Sequence, residues 1–299
     1  MKIFLTGSAG HLASVLLPAL CADEGVASVT GVDLRPSAYR HPKFCAYRLD
    51  YGREQAHGLI AGHDALIHLG FRVLRGRMSA RAMWRNNVES SQALFEAAQR
   101  RDVRRMLHVS SAAVYGNGEN LPESARLSPI PDFQYGNHKA ILEEWLAQHH
   151  PRVVCLRPHV ILGRHAQPLL RFLLRQPCYL QLPDPQPQLQ CIDERDVVEA
   201  IRLCLNKDVR GAFNLAGPES FSFQTLICSR YSGAVGIAPW LGRIVLQSAW
   251  RLGGVGGEPG WMGGLERSLT LDCSRAHEEL GWRPQHDLAD SLTMTLAGL

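Results

Sequence analysis

Short apolar runs and helical patterns take turns along the first half of the chain. "KIFLT" (2–6), "ASVTGVD" (27–33), "ALIHLG" (65–70), "RMLHVS" (105–110) and "RVVCLR" (152–157) are brief and rich in branched residues, so they predict buried strands. Between them, "HLASVLLPALCADEG", "ARAMWRNNVESSQALFEAAQR" and "YGNHKAILEEWLAQHH" carry the three-to-four spacing of amphipathic helices. Such alternation predicts right-handed crossovers and an α/β architecture, a doubly wound parallel sheet covered on both faces. After Pro158 the pattern loosens. "LPDPQPQLQ" (182–190) holds too much proline for a helix or a central strand, and "GAFNLAG" (211–217) predicts one more strand. "GIAPWLGRIVLQSAWRLGG" (236–254) has an apolar face with Trp240 and Trp250, expected to pack into the core.

Composition narrows the class. With 299 residues, 45% hydrophobic and 20% charged, the chain reads as globular rather than disordered. The net charge of +4 is mild, and the one basic run, "QRRDVRR" (99–105), reads as a helix end and the loop after it. A nucleic-acid partner needs a concentrated basic face, so none is expected. The eight cysteines include no CxxC, and Cys155 and Cys204 fall on a strand and a helix face, as reduced core thiols do. Thirteen histidines show no zinc-binding spacing, and no metal is expected. "MKIFLTG" leaves no room for a signal peptide, and no apolar run reaches membrane-spanning length, so the expected location is cytoplasmic.

Chemistry enters with "FLTGSAGHLASVLLPAL", a strand, a glycine turn and a helix in succession. Gly7 and Gly10 allow a tight turn and close approach of backbone to a pyrophosphate, and Ala13 lets the helix pack on the sheet. The helix N-terminus then offers N–H groups and a positive dipole end to phosphates. Asp33 ends the next strand, where a carboxylate accepts ribose hydroxyls and repels a ribose phosphate; this favours NAD over NADP, with Arg35 tempering the repulsion. Tyr135 and Lys139 stand at i and i+4, on one helix face. A phenol titrates near pH ~10, and an ammonium beside it is expected to draw that value toward neutrality. These features predict a cofactor-binding domain over 1–157, with 190–216 returning to it, and a smaller substrate-binding lobe from 158–189 and 217–299.

"TGSAGHLA" resembles the TGxxGxx(G/A) turn of the extended short-chain dehydrogenases. "LDYG" (49–52), "HDALIHLG" (63–70), "NNVESSQALFEAA" (86–98), "VSSAAVYG" (109–116) and "YGNHK" (135–139) follow in that family's order. "LRPHVILG" (156–163), "IDERDVVEAI" (192–201), "FNLAGPES" (213–220) and "LDCSRAHEELGWRP" (271–284) resemble the later landmarks of the NAD-dependent epimerase/dehydratase family. The resemblance implies a Rossmann-type fold and bound NAD. It implies cofactor contacts from Gly7, Ser8, Gly10, His11, Leu12, Asp33, Asp50, Leu69, Gly70 (alanine in the family), Asn87, Tyr135 and Lys139. It also implies that Ser111 hydrogen-bonds the substrate oxygen, that Tyr135 removes a hydroxyl proton, and that Lys139 holds the nicotinamide ribose. Ser111, Ala112, Arg157 and His159 are the implied substrate residues. Ser110 is the rival hydroxyl, but the register counted from "VYG" selects Ser111. Tyr115 is expected as a wall of the site, and Asp193 and Asp196 as capping and packing residues.

The chain departs from the family at three further places. Dehydratases carry an Asp-Glu pair after the serine, where this chain has Ala112 and Ala113, so water elimination is not expected. Val160 stands where sugar-nucleotide epimerases have an asparagine, and Gln190 where they have a basic residue. The resemblance implies a nucleotide-sugar 4-epimerase acting on a small-molecule substrate, with a homodimer as a family expectation. A second reading is an alcohol dehydrogenase or ketone reductase of hydroxysteroid type. A third is a non-catalytic cofactor-sensing or interaction protein, against which the retained serine, tyrosine and lysine argue.

Overall fold

The computed structural model describes residues 1–74, 76–253 and 260–297. Its centre is a sheet of seven strands: β1 (Lys2–Thr6), β2 (Ser28–Asp33), β3 (Phe44–Arg48), β4 (Ala65–His68), β5 (Arg105–Val109), β6 (Val154–Pro158) and β7 (Gly211–Leu215). They lie in the order β7-β6-β5-β4-β1-β2-β3, every pair parallel. The chain winds outward from β1 through β3, then crosses back to β4 on the other side of β1. That reversal opens a crevice at the carboxyl ends of β1 and β4, the place where open α/β sheets bind ligands.

Side-chain alternation explains why the central strands are apolar throughout. Ile3, Leu5, Ile67, Leu107, Val109, Val154 and Leu156 face the helices His11–Ala22 and Glu194–Asn206. Phe4, Leu66 and Cys155 face the opposite layer, where Leu94 and Phe95 of the helix Ser90–Gln99 and Leu142 and Leu146 of the helix Gln134–His149 close over them. A parallel sheet buried on both faces leaves no room for polar alternation. The exception is the carboxyl end of the second face, where Thr6, His68 and His108 stand in adjacent register.

Three local features differ from the sequence pattern. The expected helix over 80–100 is interrupted by a π-helical turn, Arg85–Glu89, between Ala80–Trp84 and Ser90–Gln99. The edge strand β3, with four of its five residues exposed, has no counterpart among the expected strands. Among the described side chains of the helix Pro239–Gly253, the expected packing of the apolar face into the core is not met. Trp240, Leu241, Ile244 and Val245 are exposed, while the Gly242 side faces Leu180 and Met262. The side chain of Trp250 lies outside the described residues. No helix among the described residues is long and apolar enough to cross a membrane.

Candidate functional site

The turn after β1 is held from both sides. Gly7 has φ +72°, and a methyl there would sit 2.7 Å from the Gly70 nitrogen, so only glycine lets this turn rest on the loop after β4. Gly7 N–H donates to Val32 O at 2.9 Å. Ala9 N–H donates to Asp33 Oδ2 at 3.1 Å and Arg35 N–H to Asp33 Oδ1 at 2.8 Å, while Arg35 Nη2 donates to Ala9 O at 2.7 Å. Asp33 thus ties the glycine turn to the end of β2, and Arg35 lies beside it. The helix that follows begins at His11 with no side-chain cap and no acid in its first turn. Its leading N–H groups suit an anion. Burial, followed by the charges of Arg35, Arg171 and His165, pushes the His11 pKa down. Ser8 is buried, Leu12 packs on the core, and Asp50 accepts Gly52 N–H at 2.9 Å in the turn after β3. A glycine cradle, an uncapped helix N-terminus and a carboxylate at the second strand end together fit a dinucleotide.

A hydrogen-bond chain underlies this turn. Ser91 Oγ donates its one hydrogen to Asn87 O at 2.7 Å, so it must accept from His68 Nε2–H at 2.8 Å. His68 Nδ1 then accepts from Thr6 Oγ1 at 2.6 Å, and Thr6 Oγ1 accepts Gly70 N–H at 3.1 Å. The tautomer follows from the network and requires a neutral imidazole. Burial first, and the Lys139 charge second, hold the His68 pKa well down, in agreement. Gly70 replaces the family's alanine for a visible reason: the Tyr51 ring lies 2.9 Å from where its methyl would be. Asn87 is fully buried and spends its amide on Arg72, accepting its N–H at 2.7 Å and donating to its carbonyl at 2.9 Å. It therefore positions the loop after β4, which is the structural role its side chain has here.

The serine, tyrosine and lysine come together at the carboxyl end of β5. Ser111 caps the 3₁₀ turn Ala112–Val114, accepting Ala113 N–H at 3.2 Å. Tyr135 and Lys139 project from the first turns of the helix Gln134–His149. Burial pushes Tyr135 up to about 12, opposed by a hydrogen bond with Ser111. Burial pushes Lys139 down to about 7, opposed by Glu143 and Cys155. The expected lowering of the tyrosine pKa by the lysine is therefore reversed in this arrangement. Lys139 is 2% exposed and turns its ammonium to Val109 O at 2.6 Å, while burial of the phenol dominates its own titration. Ser110 Oγ is buried without a hydrogen-bond partner, and its neighbour Ser111 is the hydroxyl that meets Tyr135.

Two of the expected substrate residues are committed elsewhere. Arg157 is buried and donates to Glu143 through Nε at 2.9 Å and Nη2 at 2.6 Å, and to the Tyr115 hydroxyl at 2.5 Å. Tyr115 donates onward to Asn214 Oδ1 at 2.8 Å. This network joins the catalytic-type helix to β6 and β7, so Arg157 is a structural cation and Tyr115 a buried link. His159 is likewise saturated: Nε2–H donates to Leu269 O at 3.0 Å and Nδ1 accepts Val160 N–H at 2.8 Å. Burial pushes its pKa down to about 4, so it stays neutral and pins the strand end. Ala112 is buried in a small apolar cluster with Val114 and Tyr115. Asp193 caps the helix Glu194–Asn206, and Asp196 accepts from Gln285 and His286, the capping and packing expected of them. Glu143 escaped the sequence reading, although it stands four residues beyond Lys139 on the same face.

Comparison with known proteins agrees with this geometry. Residues 3–216 match the profile of the NAD dependent epimerase/dehydratase family. A UDP-glucose 4-epimerase of Azospirillum brasilense is 26% identical, covering 97% of this chain and 89% of its own length. A dTDP-glucose 4,6-dehydratase of Streptomyces griseus is 25% identical, covering 99% of this chain and 93% of its own length. The solved UDP-glucose 4-epimerase of Thermotoga maritima, with UDP-glucose, superposes with a TM-score of 0.77 at 21% identity, over 100% of this chain and 98% of that one. With its parallel sheet, its glycine turn and its serine, tyrosine and lysine at one strand end, the chain is a member of the NAD-dependent epimerase/dehydratase family, enzymes of the extended short-chain dehydrogenase class.

Proposed function

We propose that this enzyme inverts a secondary alcohol of a nucleotide sugar, a 4-epimerase, using NAD held across the β1–β4 crevice. The observation that carries the reading is the meeting of Ser111 and Tyr135 at the end of β5, with Lys139 one helical turn on and no acid pair after the serine. Gly7, Gly10 and the helix N-terminus at His11 would hold the cofactor's pyrophosphate, and Asp33 its adenosine ribose. Because Asp33 would face that ribose, NAD is the form expected to bind more tightly than NADP. When bound, oxidised NAD supplies a hydride acceptor and a positively charged ring.

Ser111 hydrogen-bonds the reacting oxygen and fixes it against Tyr135. Tyr135 takes the hydroxyl proton as the carbinol becomes a ketone, and returns it when the ketone is reduced from its other face. Lys139 would orient the cofactor's sugar, while the hydrogen bond from Ser111, not the ammonium turned to Val109 O, favours the phenolate. Ala112 and Ala113 offer no group to expel water, so the ketone is reduced rather than dehydrated. The chain divides for this task into a cofactor domain, 1–157 with 190–216, and a substrate lobe, 158–189 with 217–299.

A ketone reductase is the second reading, favoured by Val160 and Gln190. Val160 is 43% exposed and offers no polar group, and Gln190 spends its amide on Leu271 N–H and Gly217 O. Incubation with a panel of nucleotide sugars, with products separated by chromatography, distinguishes the two. An inverted sugar without stoichiometric NADH supports the epimerase. Steady NADH turnover with a ketone or alcohol, and no inversion across the panel, would replace it with the reductase.

A further inference from the structure

Phe71 follows directly on Leu69 and Gly70, just past the last residue of the "HDALIHLG" motif. Its half-buried ring meets three side chains of the site. Lys139 Nζ lies 3.7 Å from the ring centroid, over its face. The Tyr135 ring meets it edge-on, with centroids 5.7 Å apart and planes at 83°. The His108 ring lies against it at 6.0 Å and 53°, itself stacked on His68 at 5.4 Å.

We propose that Phe71 is a positioning residue for proton transfer: its π face seats the Lys139 ammonium while its edge fixes the Tyr135 ring. An ammonium taken out of water has three N–H donors and a full charge to satisfy. The Val109 carbonyl takes one donor at 2.6 Å. An aromatic face attracts the charge through its quadrupole without consuming a lone-pair acceptor, and the attraction grows where water is excluded. A carboxylate in that place would bind the ammonium tightly and hold it away from the cofactor sugar. An aliphatic side chain would leave the charge uncompensated. Phe71 does neither, and leaves the remaining donors directed by the site.

The other groups around Lys139 fit this arrangement. Glu143 and Tyr135 face it from its own helix, His108 from β5, His68 from β4 and Cys155 from β6. Neither His108 ring nitrogen has a hydrogen-bond partner, and burial, then Lys139 and His68, keeps that ring uncharged. His108 thus backs Phe71 without adding a second positive charge beside the ammonium.

The proposal rests on reading Lys139 and Tyr135 as the reacting pair, but its test does not need turnover. The chain has four lysines, at positions 2, 43, 139 and 207, so lysine labelled with ¹³C at Cε gives a spectrum simple enough to titrate by NMR. Lys139→Arg assigns the resonance. Replacing the ring by Phe71→Leu should lower the Lys139 midpoint by about 0.5 to 1.5 pH units, and Phe71→Tyr should leave it in place. A fluorinated phenylalanine at position 71, which drains the π face at nearly constant shape, should also lower it and serves if the leucine variant does not fold. An unchanged midpoint in the fluorinated protein would overturn the proposal. Failure to invert any sugar would count against the epimerase reading alone.

Discussion

The Lys139 ammonium donates to the Val109 carbonyl at 2.6 Å, inside the protein and 2% exposed. Burial lowers its pKa to about 7 from 10.5, despite Glu143 and Cys155. Between those two values the unfolded chain binds the proton that the folded chain has lost, so this group makes stability rise with pH across that window. Below the folded value both states are charged, and the full cost of burying the ammonium is present. Lys139→Met should flatten the rise. Denaturant unfolding near pH ~6 and near pH ~10 checks this, and parallel wild-type and variant profiles would contradict it.

Arg157 and Glu143 form a buried, two-pronged ion pair, with side chains 7% and 4% exposed. Removing one partner strands a charge in the interior, at a cost of about 3 to 5 kcal/mol. Both Arg157→Met and Glu143→Leu should lower the midpoint of denaturant unfolding, and the double variant should recover part of the loss. A large rise in substrate KM with unchanged stability in Arg157→Met would return Arg157 to the substrate role.

Asp33 bonds the glycine turn through Ala9 N–H, and Arg35 sits 3.7 Å from its carboxylate. Calorimetric titration should give tighter binding of NAD than of NADP. Asp33→Ala should weaken NAD and loosen the turn, while Arg35→Ala should weaken NADP more than NAD. Equal affinity of the wild type for the two cofactors would mean that Arg35, not Asp33, sets the preference.

Tyr135→Phe should keep the fold and the cofactor but lose about 10²- to 10⁴-fold in turnover, the usual contribution of a positioned acid–base group. Single-turnover rates and cofactor titration separate the two effects. Near-normal turnover in this variant would remove Tyr135 from the chemistry.

The parts of this account legible in the sequence are those written in local spacing. The glycine turn, Asp33 and the Tyr135–Lys139 pair each lie within one turn or one strand–helix unit, and the central strands announce themselves by unbroken apolar runs. What stayed hidden depends on partners far apart in the chain. Arg157 is 42 residues from Tyr115, and Tyr115 is 99 from Asn214, so their bonds leave no periodic trace and Arg157 read as a substrate residue. The edge strand β3 (FCAYR) is exposed and lacks the branched aliphatic residues that mark the buried strands. Phe71 stands outside every sequence motif because its partners Lys139 and His108 come from a helix and a strand that only the fold brings near.

The central claim is that the enzyme takes a hydride from a sugar carbon and returns it to the same carbon's other face. The nucleotide sugar that the panel shows to be inverted, deuterated at C4, tests it in one reaction, with the product sugar analysed by mass spectrometry and NADH followed by absorbance. The expected product is the 4-epimer that retains its deuterium, with no more NADH than enzyme present. Deuterium accumulating in free NADH, with the sugar left as a ketone or not inverted, would contradict it.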